Sequence, residues 1–264
     1  MNYFIMTLKS HHELSQQGRV PMNVQTTTFV RRLRDRDEAA WFELWQDFGP
    51  AIRYQLSKWG GGRIGFETVQ DLTQDTLAAL SRCIERYDPE RGARFSTWLL
   101  SIAKHTLGDE FDRRNAQKRN SGVKPLSLDE RIDSCQATIE VDEVFEQRMF
   151  AAKVCAAIRR TESEVDFVQF QVWRMRALDN HTGKEISIAL GISEPTVSRY
   201  MAKVRDQLKK RIAEVVMQYS FTPEEEAEAK KAGLSGSESI FDDSVSNLYH
   251  AHQIFLGEES RGRT

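Results

Sequence analysis

The sequence predicts an all-α protein: two small helical domains joined by a flexible linker, followed by a C-terminal extension. Apolar residues recur at helical spacing along most of the 264 residues, and no run alternates as a strand would. That length fits one to two domains. Residues 115–142 lose the helical period and gather Ser, Gly, Pro and charged residues. We therefore expect this stretch to be the linker.

Charge divides the body of the chain from its end. The chain has 37 basic and 39 acidic residues, a formal net charge of −2. From residue 221 onward nine acidic residues stand against four basic ones, a net charge of −5, so the rest of the chain has a net charge of +3. The body is mildly basic and the tail is acidic, which bears on where an acidic partner is bound.

Several classes of protein are excluded by what the sequence lacks. No apolar run reaches the roughly 18–20 residues of a membrane span, and residues 1–6 are too short and poorly flanked for a signal peptide. Cys83, Cys135 and Cys155 are widely spaced without a CxxC pair, which excludes a disulfide scaffold or zinc ribbon and fits a reducing cytoplasm. We expect a cytoplasmic protein that is not inserted in a membrane.

Motifs of enzymes and cofactor sites are also missing. The sequence has no Walker A loop, Rossmann glycine fingerprint, HExxH or nucleophile elbow. His250 and His252, with Asp242 and Asp243, are a candidate for a metal site, and ordinary surface histidines are the favoured interpretation. We expect no cofactor, no metal and no enzymatic activity.

The first predicted domain spans residues 26–114 and follows a segment, residues 1–25, without a clear pattern. The predicted helices are separated by Gly49-Pro50, by the glycines at 60–62 and by the turn signal at 88–92. They cover residues 29–48, 51–60, 67–87 and 96–114.

The third predicted helix has one apolar and one polar face. Asp71, Gln74 and Asp75 lie on a stripe that we expect to be exposed. A solvated surface is the plain interpretation of such a stripe. The residues expected to face the core are Val69, Leu72, Thr76, Leu80, Cys83, Ile84 and Tyr87.

The fourth predicted helix combines an apolar stripe with basic flanks. Cations near an aromatic edge suit single-stranded DNA, where they hold phosphates while rings contact unstacked bases. Trp98 belongs to the apolar stripe, so a core position is its alternative role. The stripe is Phe95, Trp98, Leu99, Ile102, Ala103 and Thr106. The basic residues around it are Arg91, Arg94, Lys104, His105, Arg113 and Arg114.

The second predicted domain, residues 143–218, contains a helix-turn-helix pattern. The stretch 183–200 predicts a helix, a tight turn at Gly191 and a second helix opened by Glu194-Pro195. From Arg174 to Arg211 there are nine basic and four acidic residues, an excess of five positive charges. Short polar and basic side chains that stay outside the core are what a recognition helix presents to the major groove. In the second helix these are Thr196, Ser198, Arg199, Lys203 and Arg205.

Three segments resemble region 2 of the sigma-70 family of RNA polymerase sigma factors, of the extracytoplasmic-function (ECF) type. They begin VQDLTQDT at Val69, YDPERG at Tyr87 and FSTWLLSIA at Phe95. The resemblance implies that Asp71, Gln74 and Asp75 meet the β′ clamp of core RNA polymerase. It also implies that the turn and the following helix open and bind the −10 promoter element. The implied −10 contacts are Arg91, Arg94, Thr97, Trp98, Lys104, His105, Arg113 and Arg114.

The helix-turn-helix resembles region 4 of the same family, which implies binding to the −35 element and to the polymerase β flap. The implied −35 contacts are the five residues named for the recognition helix. No long domain lies between the two segments, which favours the compact ECF group over the housekeeping type.

Two questions stay open at this point. A stand-alone helix-turn-helix regulator is the alternative function, with the first domain serving dimerisation. The C-terminal extension, residues 219–264, combines an acidic cluster with an apolar patch at 240–256 and is expected to be poorly packed. It either folds back over the basic helices as a brake, binds a regulator such as an anti-sigma factor, or is disordered.

Overall fold

The computed structural model describes residues 24–87, 95–119, 143–219 and 223–261, and these residues are helical apart from short turns. The all-α prediction is confirmed for them. They fall into two compact units. The first contains the described residues from Thr27 to Met149 and those from Phe255 onward. The second contains those from Phe150 to Ile254, with the few that precede Thr27.

The first unit is built from the helices up to residue 119 and from the start of the helix that begins at residue 143. They are α1 (Val24–Arg34), α2 (Glu38–Gly60), α3 (Phe66–Cys83), α4 (Phe95–Arg119) and α5 (Glu143–Glu164), which continues into the second unit. A short 3-10 helix, Ile84–Arg86, extends α3. Helices α2, α3 and α4 pack on one another, and the residues listed above for the apolar stripes of α3 and α4 are buried.

The predicted break at Gly49-Pro50 is wrong, because α2 runs through Pro50. A proline inside a helix loses one backbone hydrogen bond and costs about 3 kcal/mol, but Phe48 and Ile52 on either side are fully buried. The break lies at residues 35–37 instead. There the side chain of Asp37 accepts hydrogen bonds from the amides of Ala39 and Ala40 and caps α2.

The second unit continues with α6 (Phe167–Ala177), α7 (Gly183–Leu190) and α8 (Glu194–Tyr219). Helix α8 packs mainly on α6 and α7. The inward stripe predicted for α8 is confirmed, since Val197, Met201, Val204, Leu208 and Ile212 are all buried. The core of this unit therefore lies beneath the helix-turn-helix that α7 and α8 form.

The C-terminal extension forms two helices, α9 (Pro223–Lys231) and α10 (Glu238–Arg261). The expectation that it is poorly packed is wrong for the described part, because Phe241 and Val245 of α10 are 1% and 0% exposed within the second unit. Of the other six residues of its predicted apolar patch, Leu248, Tyr249, Phe255 and Leu256 are half-buried, whereas Ile240 and Ile254 are exposed. No described helix combines the length and the apolar character that crossing a membrane requires.

Candidate nucleic-acid and polymerase interfaces

The polar stripe on α3 is fully accessible. Asp71, Gln74 and Asp75 are exposed, as is Ala78 one turn further on, while Leu72 and Thr76 between them are buried. Thr76 donates its hydroxyl to the carbonyl of Leu72 at 2.6 Å, so its polar atom is satisfied within the helix. The sequence therefore placed the two faces of α3 correctly, and the outer face offers two carboxylates to a partner.

The predicted DNA contacts on α4 differ in how far they are exposed to solvent. Trp98 is only 1% exposed and packs against Tyr87, with ring centroids 4.9 Å apart. Its ring belongs to the core, which corrects its assignment as a DNA contact in this conformation. Thr97 beside it is half-buried, and Lys104 is exposed with His105 next to it half-buried. Arg91 and Arg94 lie outside the described residues.

Near the end of α4, Glu110 organises two of the predicted DNA contacts. Its buried carboxylate accepts hydrogen bonds from Arg113 at 2.8 Å and from Arg114 at 2.6 Å. These hydrogen bonds, that from Arg113 foremost, lower the pKa of Glu110 against the opposing effect of its burial. Arg114 also donates to Thr68 of α3, at 3.0 Å. Glu110, Arg113 and Arg114 lie at local spacing on one helix, whereas the contact of Arg114 with Thr68 joins α4 to α3 and has no local sequence signal.

The helix-turn-helix is closed by local signals that the sequence carries. Thr182 and Glu185 form a reciprocal capping box at the start of α7. Gly191 ends α7 with φ of 65°, a left-handed conformation that favours glycine. Ser187 donates its hydroxyl to the carbonyl of Ile192 at 2.5 Å, which ties α7 to the turn. The turn therefore holds α8 at a fixed angle to α7.

Four of the five predicted recognition residues are available on α8. Ser198, Arg199 and Lys203 are exposed, and Thr196 is half-buried. Thr196, Arg199 and Lys203 follow one another at spacings of three and four residues, which puts them on one side of the helix. Among the described residues no carboxylate pairs with Arg199 or Lys203. This side of α8 is the open basic face of the unit.

Arg205 is the exception, and its assignment to DNA is corrected. Its side chain is 10% exposed and donates to both carboxylate oxygens of Asp242, at 3.0 and 2.6 Å. A third hydrogen bond of 2.6 Å reaches Glu238. These ion pairs raise the pKa of Arg205, the hydrogen bond to Asp242 contributing most. Arg205 therefore attaches α10 to α8 and is not free to meet a phosphate.

The same contacts remove the candidate metal site of the tail. Asp242 is engaged by Arg205, and His250 donates to the carbonyl of Leu178 at 3.0 Å. The described residues contain no group of His, Cys, Asp and Glu suited to a metal ion. Asp242 and His250 therefore contribute to the docking of α10 within this unit.

Comparison with known proteins identifies part of the chain. Residues 44–117 match the family model described as sigma-70 region 2, a range that contains α3, nearly all of α4 and the larger part of α2. A stretch of 77 residues, 29% of this chain, is 35% identical to the ECF RNA polymerase sigma factor RpoE of Cereibacter sphaeroides. That match spans 40% of the length of the relative.

Proposed function

We propose that this chain, a sigma-70 family protein of the ECF type, binds core RNA polymerase and directs it to promoters through contacts with the −10 and −35 elements. In this role it has no catalytic activity of its own, because phosphodiester formation belongs to the polymerase. The observation on which the proposal depends is the combination of a sigma-70 region 2 with a second unit that exposes a basic recognition helix.

For the polymerase, we assign the outer face of α3 to the β′ clamp. Asp71 and Asp75 are exposed and one helical turn apart, so they offer a compact negative surface to a basic partner. The β flap is assigned to the second unit. It exposes two large apolar side chains, Phe167 of α6 and Ile188 of α7, each 73% accessible. An apolar side chain that is exposed in the free protein gains free energy when a partner removes it from water.

For DNA, we assign the −10 element to α4 and the preceding turn, and the −35 element to α8. Lys104 and His105 lie on a helix fixed to the core by Leu99 and Ile102. Arg199 and Lys203 project from a rigid helix-turn-helix. Positioning of this kind is what base recognition in the major groove requires.

The decisive experiment measures complex formation with core polymerase and promoter-dependent run-off transcription. We expect the purified chain to co-elute with core enzyme and to support transcription. Asp75→Lys should weaken the binding while leaving the circular dichroism spectrum and melting temperature unchanged, because Asp75 is exposed. The matched control is Asp35→Lys, which changes an exposed carboxylate in the turn between α1 and α2 of the same unit.

The outcomes separate the alternatives. A chain that ignores core polymerase yet binds a duplex operator tightly is a stand-alone helix-turn-helix regulator. Equal polymerase affinity for Asp75→Lys and the unaltered chain removes the assignment of α3 to the clamp.

A further inference from the structure

A pocket in the first unit lies between the end of α4 and the turn that joins α2 to α3. Its volume is about 610 Å³, and it is lined by Arg63, Phe111, Arg114, Asn115 and Gln117. Arg63 belongs to the turn after the glycines at 60–62, and the other four belong to the last turns of α4. None of the five is acidic.

The two sides of the pocket are held together by hydrogen bonds. Arg114 donates to the backbone carbonyl of Arg63 at 3.1 Å and to the Thr68 hydroxyl at 3.0 Å. Since Glu110 accepts its third hydrogen bond at 2.6 Å, the guanidinium of Arg114 is fixed in place. The wall formed by α4 is therefore rigid relative to the turn.

Arg63 forms no ion pair with a carboxylate of the described residues. Its guanidinium lies over the ring of Phe111, 4.2 Å from the centroid, and its single hydrogen bond is from Nε to the carbonyl of Gly60 at 3.4 Å. No described carboxylate pairs with it, and the residue is exposed. An arginine held over an aromatic ring presents its terminal N–H groups in a fixed plane, the geometry that suits an oxyanion.

The charge around the pocket is positive. Two of the lining residues are cations, Arg63 and Arg114, and of these Arg114 is paired with the carboxylate of Glu110. The side-chain amides of Asn115 and Gln117 add N–H donors. A pocket lined by N–H donors and cations, with no acidic residue in its lining, favours the binding of a phosphate group.

The position along α4 relates this pocket to the promoter. Lys104 and Arg114 are ten residues apart on one helix, a rise of about 15 Å. Successive phosphates of one DNA strand are about 3.4 Å apart along the axis. A duplex lying along α4 therefore brings a phosphate to the pocket about four base pairs from the one nearest Lys104.

We propose that this pocket binds a backbone phosphate of promoter DNA beyond the −10 element, and that Arg63 is a phosphate contact additional to those on α4. The inference depends on the proposed function, since it takes promoter DNA as the ligand.

The test uses the polymerase complex of the full chain and a promoter fragment, with affinity measured across a salt series. Arg63→Gln should lower affinity at every promoter sequence alike and reduce the slope of log K against log salt by about 0.9, the value for one lost phosphate contact. Arg31→Gln, which removes an exposed charge from α1 of the same unit, is the matched control and should leave the slope unchanged.

A second arm locates the phosphate. Neutral methylphosphonate linkages placed singly along the fragment should reveal one position that weakens the unaltered complex and has no effect on the Arg63→Gln complex. Equal slopes for Arg63→Gln and the unaltered chain, in complexes that form normally, would overturn the pocket assignment alone. Failure of the unaltered chain to bind polymerase would overturn the proposed function, and the pocket assignment with it.

Discussion

Arg205 of α8 and Asp242 of α10 form a bidentate ion pair, with Nε and Nη2 donating to the two carboxylate oxygens. Both side chains are largely withdrawn from solvent, at 10% and 18% exposure. Phe241, next to Asp242, is buried, and its ring lies 5.1 Å from the Nζ of Lys209 on α8. Helix α10 is therefore a packed component of the second unit.

Removing the arginine of this pair should destabilise the second unit. Arg205→Ala leaves Asp242 half-buried without its partner, and hydrogen bonds to charged groups contribute about 1.5–3 kcal/mol. We expect a lower melting temperature in thermal denaturation followed by circular dichroism. Arg199→Ala removes an exposed arginine of the same helix and should leave the melting temperature unchanged, and a loss of equal size there would contradict the special role of Arg205.

Deleting the extension after residue 220 tests whether it acts as a brake. Because α10 packs on the flank of α8 that carries Arg205 and leaves Arg199 and Lys203 exposed, we expect the deletion to lower the melting temperature without increasing affinity for −35 DNA. A truncated chain that keeps its stability and gains promoter affinity would support the brake instead. The measurement is DNA binding and transcription across a salt series.

The two exposed cations of α8 should differ in what they contribute to DNA binding. Arg199→Ala is expected to cost about 1–3 kcal/mol of discrimination between matched and mismatched −35 sites, the value of a good bidentate base contact. Lys203→Ala should weaken all sequences alike and lower the salt slope by about 0.9. If both variants treat matched and mismatched sites identically in an equilibrium binding assay, α8 is not the recognition helix.

The stabilising effect of Glu110 should depend on pH. Its pKa is lowered by the hydrogen bonds from Arg113 and Arg114, so its contribution is fully present above the unfolded-state pKa of about 4.3 and is lost as the pH falls through the lower folded-state value. The unaltered chain should therefore melt higher than Glu110→Gln at pH 7, and the difference should shrink below about pH 4. Glu67→Gln, at an exposed site, should show little difference at either pH, and a constant difference for Glu110→Gln would contradict the ionic origin.

Local pattern was sufficient for much of the fold. The apolar stripe of α3, including Leu72 and Leu80, was predicted because helical spacing fixes which side chains share a face. Helix ends near Gly61 and at Gly191 were predicted because glycine adopts positive φ without strain. Both residues have positive φ in the structure. The exposed side of α8 follows from the same spacing.

Packing between distant segments decided the rest. The sequence by itself determined that the chain is helical, that it contains a sigma-type region 2 pattern, and that a basic helix follows, since these depend on residues within a few turns of one another. Only the tertiary structure decided between the core and DNA-contact roles of Trp98 and showed that α2 continues through Pro50. It also decided that Arg205 belongs to Asp242, 37 residues away. Helical spacing shows which face of a helix is polar, but which segment covers that face is set by contacts that no local pattern records.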